Sequence, residues 1–261
     1  MNRIERKFKE LREADKKAFI AFITAGYPNL EITEKLIVKL AQAGADIIEL
    51  GVPFSDPLAD GPIIQEASKA ALDKNTHIDD ILRVVSRARK TTDIPICLMT
   101  YYNPVFCFGE EKFVKMAVKA GVDGAIIPDL PPEEARSFIV SARENNFDTV
   151  FFLAPTSTKE RIKLIAKVST GFIYYVSLTG VTGPRASLSV DFAGQLKLIK
   201  QFTNKPVCVG FGISSHQQVK QIEEFSDGVI VGSAIVNIIK ENIGKPDLID
   251  KAAGFVRKLK G

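Results

Sequence analysis

Short aliphatic runs alternate with helix-patterned segments along the whole chain, and this alternation limits the possible fold more than any other feature. The runs are 18–24, 46–50, 94–100, 123–127, 149–153, 172–177, 206–210 and 228–231. Helical spacing of apolar residues marks 29–43, 62–72, 79–90, 110–120, 132–145, 159–168, 191–202, 215–225, 233–240 and 247–259, with a leading helix over 2–14 that carries Ile4, Phe8 and Leu11 on one stripe. Asn29 is placed to cap the helix over 29–43 and Gly44 to end it, and Gly121 to end the helix over 110–120. Strands that alternate with helices pair in parallel, since parallel pairing needs a long crossover. The runs are apolar on both faces, as parallel strands covered on both sides are. Eight such units in 261 residues match a (β/α)8 TIM barrel with extra helices. The alternative is a doubly wound open sheet, which usually has fewer strands. No linker or shift of composition divides the chain, so residues 1–261 read as a single barrel domain.

Composition excludes several classes. Net charge is +4, with both signs mixed, and no block of like charge suggests nucleic-acid binding. No apolar run approaches the ~20 residues of a membrane span, and MNRIERKFKE lacks an apolar signal core. Cys97, Cys107 and Cys208 are far apart, which suits reduced thiols in a cytoplasmic protein.

The stretch DIIELGVPFSDPLADGPIIQ, residues 46–65, combines a strand, a loop rich in Pro, Gly and Asp, and a helix start at Pro62. Glu49 lies inside the aliphatic run, and burying an unpaired charge is costly. It is therefore either partnered, as a structural ion pair, or functional. The active site of such a barrel lies at the carboxyl ends of the strands. Two further features belong there. Gly210, Gly212, Gly228 and Gly232-Ser233 fall in the last two units, where backbone N–H groups and a helix N-terminus can hold phosphate. Tight turns are the plainer explanation of these glycines. A dinucleotide fingerprint fails at Ser215, where glycine is required. The segment 178–189, LTGVTGPRASLS, is long for a connection and is either a lid over the site or a surface loop.

His77 and His216 lack metal-like spacing, no lysine stands at a strand end, and no nucleophile–base–orienter set is visible. Acid–base work by carboxylates beside a phosphate pocket remains.

The run from Glu49 to Pro62, together with Thr179-Gly180-Val181-Thr182-Gly183, Gly210-Phe211-Gly212-Ile213 and Gly232-Ser233, resembles the tryptophan synthase alpha subunit family, and the similarity extends over essentially the whole chain. The resemblance implies a lyase that splits indole-3-glycerol phosphate into indole and glyceraldehyde 3-phosphate by a retro-aldol reaction, with no metal or organic cofactor. It implies that Glu49 handles protons and that Asp60 accepts a hydrogen bond from the indole N–H. Desolvation on an aliphatic strand should keep Glu49 neutral, while a polar loop should keep Asp60 ionised. Phosphate contacts carry over to Gly183, Phe211, Gly212, Gly232 and Ser233. Phe22, Tyr174, Met99, Thr100 and Ile127 are assigned to the indole pocket, and Thr182 and Arg185 to the lid. The resemblance also implies a beta subunit that receives indole, in an α2β2 complex. Pro53, Asp56 and Asn103, on loops after the second and third strands, are the expected partner face. Two rivals are another phosphosugar barrel, such as an isomerase of the same pathway, and a non-catalytic subunit that only activates a partner.

Overall fold

The computed structural model describes residues 1–176, 190–210 and 212–261. Its strands are β1 (Ala18–Thr24), β2 (Ile47–Gly51), β3 (Ile96–Met99), β4 (Gly124–Ile126), β5 (Asp148–Val150), β6 (Phe152–Leu153), β7 (Ile173–Val176), β8 (Val207–Gly210) and β9 (Gly228–Val231). Every pairing is parallel, in the order β5-β4-β3-β2-β1-β9-β8-β7-β6. The two ends of that order are consecutive in the chain and separated only by Phe151. The ladder thus returns to the segment it left, and the sheet is a barrel rather than an open doubly wound sheet. The expected fifth strand is broken in two at Phe151, whose carbonyl accepts from Tyr174 N at 3.0 Å.

The helices are α1 (Arg3–Glu13), α2 (Leu30–Gln42), α3 (Pro62–Leu72), α4 (Ile78–Ala88), α5 (Tyr102–Phe108), α6 (Glu110–Ala120), α7 (Arg136–Glu144), α8 (Lys159–Val168), α9 (Val190–Lys200), α10 (His216–Glu223), α11 (Ser233–Glu241) and α12 (Leu248–Lys260). Local chemistry explains most boundaries. The Asn29 side chain accepts from Ile32 N, and Ser215 forms a capping box with Gln218. Gly121 closes α6 in the left-handed region at φ +94°, which glycine adopts without steric penalty.

Two differences from the sequence reading go beyond a residue or two at an element's end. Helix α5 was expected to be a loop. Its first N–H, on Tyr102, donates to Asp129 Oδ1 at 2.8 Å, so its cap comes from the next unit. Pro104 falls in its first turn, where a missing N–H costs nothing. Helix α7 begins at Arg136, not at 132. Glu134 and Ala135 both donate to the Pro131 carbonyl in a separate turn, at 3.0 and 3.1 Å.

Helix α1 closes the amino end of the barrel. Ile4, Phe8 and Leu11 are buried against Ile20, Ile47 and Phe172 of the barrel lining, and the Phe8 and Phe172 ring centroids lie 5.8 Å apart. Buried acids tie the same end together. Asp123, 3% exposed, accepts from Arg89 Nη2 at 2.9 Å, Arg3 Nη1 at 3.0 Å and Ile96 N at 2.8 Å. With this end filled, the loops at the opposite, carboxyl end are what remain for a site.

Phe8→Ala should lower the unfolding free energy by about 3 kcal/mol or more, the scale for deleting a buried ring without collapse of the cavity. Urea denaturation measures this, and a loss below about 1 kcal/mol would mean that α1 rests on the barrel instead of filling it.

Candidate active site

Glu49 lies on the interior face of β2, in register with Phe22 of β1 and Cys97 of β3. It is 2% exposed, and its Oε2 has no hydrogen-bond partner among the described residues. Among the described residues no ion pair neutralises it. Burial, and then the charge of Asp60, push its carboxyl up to about 8. At neutral pH the group is mostly a neutral acid, the state that desolvation favours.

Asp60 sits at the end of the loop that leads to α3. The sequence placed it on a polar loop that should keep it ionised. Asp60 is half-buried, and burial raises its carboxyl to about 6. A hydrogen bond from the Tyr101 hydroxyl works in the opposite sense and favours the ionised form. The two carboxyls therefore titrate on either side of neutrality, one largely protonated and the other largely ionised.

Tyr101 is the residue the sequence reading missed. It is 4% exposed and precedes α5. Its Oη accepts from Ala59 N at 2.9 Å, beside its bond to Asp60, and its ring stacks on Phe54 with centroids 5.2 Å apart. It holds the loop end and the carboxylate together. A tyrosine just past a strand end was visible in the sequence. Its reach to a residue 42 positions away was not.

Among the residues expected at an indole pocket, Phe22 is 5% exposed, and Tyr174 is partly buried beside Phe152 with ring centroids 4.8 Å apart. Burial, and then the charges of Glu49 and Asp60, raise the Tyr174 hydroxyl well above its ordinary range. Met99 is in register with Gly51 and Ile126, and its carbonyl accepts from Val52 N at 2.8 Å. Thr100 is buried with its Oγ1 donating to the Tyr101 carbonyl at 3.2 Å, so its hydroxyl is engaged by the strand end itself. Ile127 is 5% exposed, one residue past β4.

The late units offer N–H donors. Gly232 precedes α11, no side chain caps that helix, and Gly232, Ser233 and Ala234 are all partly exposed. By contrast, α10 is closed by its own capping box. Gly212 lies in the left-handed region at φ +65°. Phe211, Thr182, Gly183, Arg185 and the whole expected lid, 178–189, lie outside the described residues. On the outer rim, Asp56 and Asn103 are exposed, as are Leu58 at 92% and Phe106 at 65%. Pro53, also expected on the partner face, is buried and lines a cavity of about 380 Å³ with Phe54, His77 and Cys107.

A family model described as tryptophan synthase alpha chain matches residues 8–260. The tryptophan synthase alpha chain of Geotalea daltonii is 50% identical over 260 residues, covering 100% of this chain and 98% of that one. That of a Thermoanaerobacter species is 46% identical over 260 residues, covering 100% and 99%. The crystal structure of tryptophan synthase subunit alpha from Legionella pneumophila has a TM-score of 0.92 at 38% identity, covering 99% of this chain and 97% of that one. The chain belongs to the tryptophan synthase alpha chain family. Membership in the tryptophan synthase alpha chain family makes it a carbon–carbon lyase of tryptophan biosynthesis, with the family's cleavage of indole-3-glycerol phosphate to indole and glyceraldehyde 3-phosphate as its reaction. The pathway isomerase and the non-catalytic subunit are set aside by the same findings.

Tyr101→Phe removes the hydroxyl that favours ionised Asp60, so the Asp60 carboxyl should titrate above its value of about 6. Carbon-detected NMR titration of the side-chain carboxyl measures the midpoint in both proteins. An unchanged or lower midpoint would show that this hydrogen bond does not hold the carboxylate in solution.

Proposed function

We propose that Glu49 carries the protons of the lyase reaction and that Asp60 holds the charged indole ring. The observation that supports this most directly is a buried carboxyl whose Oε2 is unpartnered among the described residues and which is raised to about 8, with a second acid, Asp60, that stays largely ionised at neutral pH. As a neutral acid, Glu49 gives its proton to indole C3. The ring becomes an indolenine cation, with its N–H donating to the Asp60 carboxylate. Glu49, now a base, takes the proton from the adjacent hydroxyl of the glycerol chain. The bond between C3 and that carbon breaks, and its electron pair restores the aromatic indole. The aldehyde of glyceraldehyde 3-phosphate forms in the same step, and Glu49 ends as it began. Two carboxyls in unlike surroundings divide acid and electrostatic work in this way.

The phosphate takes the N–H groups at the open start of α11, at Gly232 and Ser233, with Gly212 turning the chain toward it. Aligned amides and the helix dipole favour an anion there. Gly183, Phe211 and the lid residues Thr182 and Arg185 belong to the same proposal. Phe22, Tyr174, Met99, Thr100 and Ile127 surround the indole. The whole of residues 1–261 acts as one barrel domain.

The partner is a beta subunit that takes up indole, in an α2β2 assembly. A crystal structure of tryptophan synthase from M. tuberculosis contains a chain with a TM-score of 0.88 to this one at 33% identity. Exposed Asp56, Asn103, Leu58 and Phe106 lie on the loop and helix next to Asp60 and Tyr101, so a subunit docked there would order the segment that carries Asp60. Among the described residues no helix is long and apolar enough to cross a membrane, and the three cysteines are unpaired. The cytoplasm is the compartment that fits.

Glu49→Gln should reduce kcat by ~10²-fold or more while substrate still binds, because the amide keeps the shape but cannot shuttle a proton. In the unmodified chain, kcat/KM should fall as pH rises through about 8, where Glu49 loses its proton, and as pH falls through about 6, where Asp60 gains one. Near-normal turnover by the glutamine variant would remove Glu49 from the mechanism.

Asp56→Ala and Asn103→Ala should weaken association with a beta subunit, or the activation it brings, and leave the slow basal cleavage largely intact. Steady-state indole release with increasing beta subunit reports both quantities. Equal proportional loss of basal and activated rates would place these residues in the catalytic site instead of the interface.

A further inference from the structure

The tip of one aromatic ring takes the space that a side chain at Gly51 would need. Strand β1 lies between β9 and β2, and its Phe22 is in register with Glu49. Gly51 follows Glu49 by two residues and so shares its face. A Cβ at Gly51 would lie 2.6 Å from Phe22 Cζ and 2.8 Å from Cε2. Contacts that short do not occur, so the ring would have to move. At its other end the ring is in ordinary contact: a Cβ at Gly232 would lie 3.4 Å from Cδ1. Gly51 is a strand residue outside the positive-φ set, so its backbone does not demand glycine. What demands it is the space taken by the Phe22 tip.

We propose that Gly51 is a positioning residue that sets where the Phe22 ring lies above Glu49, and thereby the width of the slot that receives indole. This rests on the reading of Phe22 as part of the indole pocket. The root of the ring is fixed on β1 and rests against Gly232, and its tip rests against Gly51. A methyl group on Gly51 pushes the tip off β2, and the ring swings about its root into the barrel interior. The interior volume above Glu49 is where the indole must lie for its C3 to reach the carboxyl. The phosphate site at the start of α11 is at the anchored end of the ring and is not displaced. Gly51 thus discriminates between the two halves of the substrate. It controls the fit of the bicyclic ring and leaves the anion alone.

The experiment compares Gly51→Ala, Phe22→Leu and the double variant in full-length protein. The readouts are dissociation constants for indole and glyceraldehyde 3-phosphate and the kinetics of indole-3-glycerol phosphate cleavage. Gly51→Ala should weaken indole binding by ~10-fold or more, the scale of forcing a ring from its place in a packed site. KM for the substrate should rise with it, kcat should be the less affected constant, and glyceraldehyde 3-phosphate should bind as before. Adding Phe22→Leu should restore indole binding to the level of Phe22→Leu alone, since the shorter side chain leaves room for the methyl. Indole binding by Gly51→Ala at the original strength, or a loss that Phe22→Leu does not relieve, overturns the proposal. Phe22→Leu alone separates the two readings. If it leaves indole binding unchanged, the placement of Phe22 in the pocket falls, and the proposal falls with it. If it weakens indole while Gly51→Ala does not, only the role of Gly51 falls. Should Gly51→Ala fail to fold, circular dichroism of the double variant decides. A folded double variant supports the clash with the ring, and an unfolded one overturns it.

Discussion

A parallel ladder that returns to its own starting segment leaves no free strand edge, and everything else in this chain depends on that closure. Backbone N–H and C=O groups of the interior strands are paired around the ring, so the interior can be dry. One end of the interior is filled by Ile4, Phe8 and Leu11 of α1. Asymmetry follows. The amino end becomes core, held by Asp123 between Arg89 and Arg3, while the carboxyl end stays free to carry loops of unlike chemistry.

Dryness is what gives the two acids different characters. Glu49 stands on a strand among apolar side chains, where water cannot solvate its charge, and it is held largely neutral. Asp60 stands at the edge of the same interior. There Tyr101 supplies a hydroxyl that compensates part of the desolvation. The tyrosine also receives the Ala59 N–H, so one side chain fixes both the path of the loop and the protonation of the acid it carries. Leu58 and Phe106 stand exposed near that loop end.

Much of this was legible without coordinates. The eight aliphatic runs, the helix stripes and the glycine stops predicted a barrel, because period and capping are local properties of a few consecutive residues. The run from Glu49 to Pro62 pointed to the family. Two features escaped a local reading. Helix α5 was missed because its cap, Asp129, lies 27 residues from Tyr102. The burial of Asp60 was not legible because loop composition says nothing of what packs over the loop.

By itself, the sequence determined the alternation and order of the eight strand-and-helix units, the helix that fills the amino end and the two acids near the second strand's end, since these follow from side-chain chemistry and spacing. Tertiary structure alone decided the rest. It broke the fifth strand at Phe151, buried Pro53, brought Tyr101 to Asp60 and pressed Phe22 against Gly51. Each of these joins residues far apart in the chain. The pairing arises from the curvature and register of a closed sheet, and no local pattern of residue types encodes which side chains that curvature brings within a few ångströms of one another.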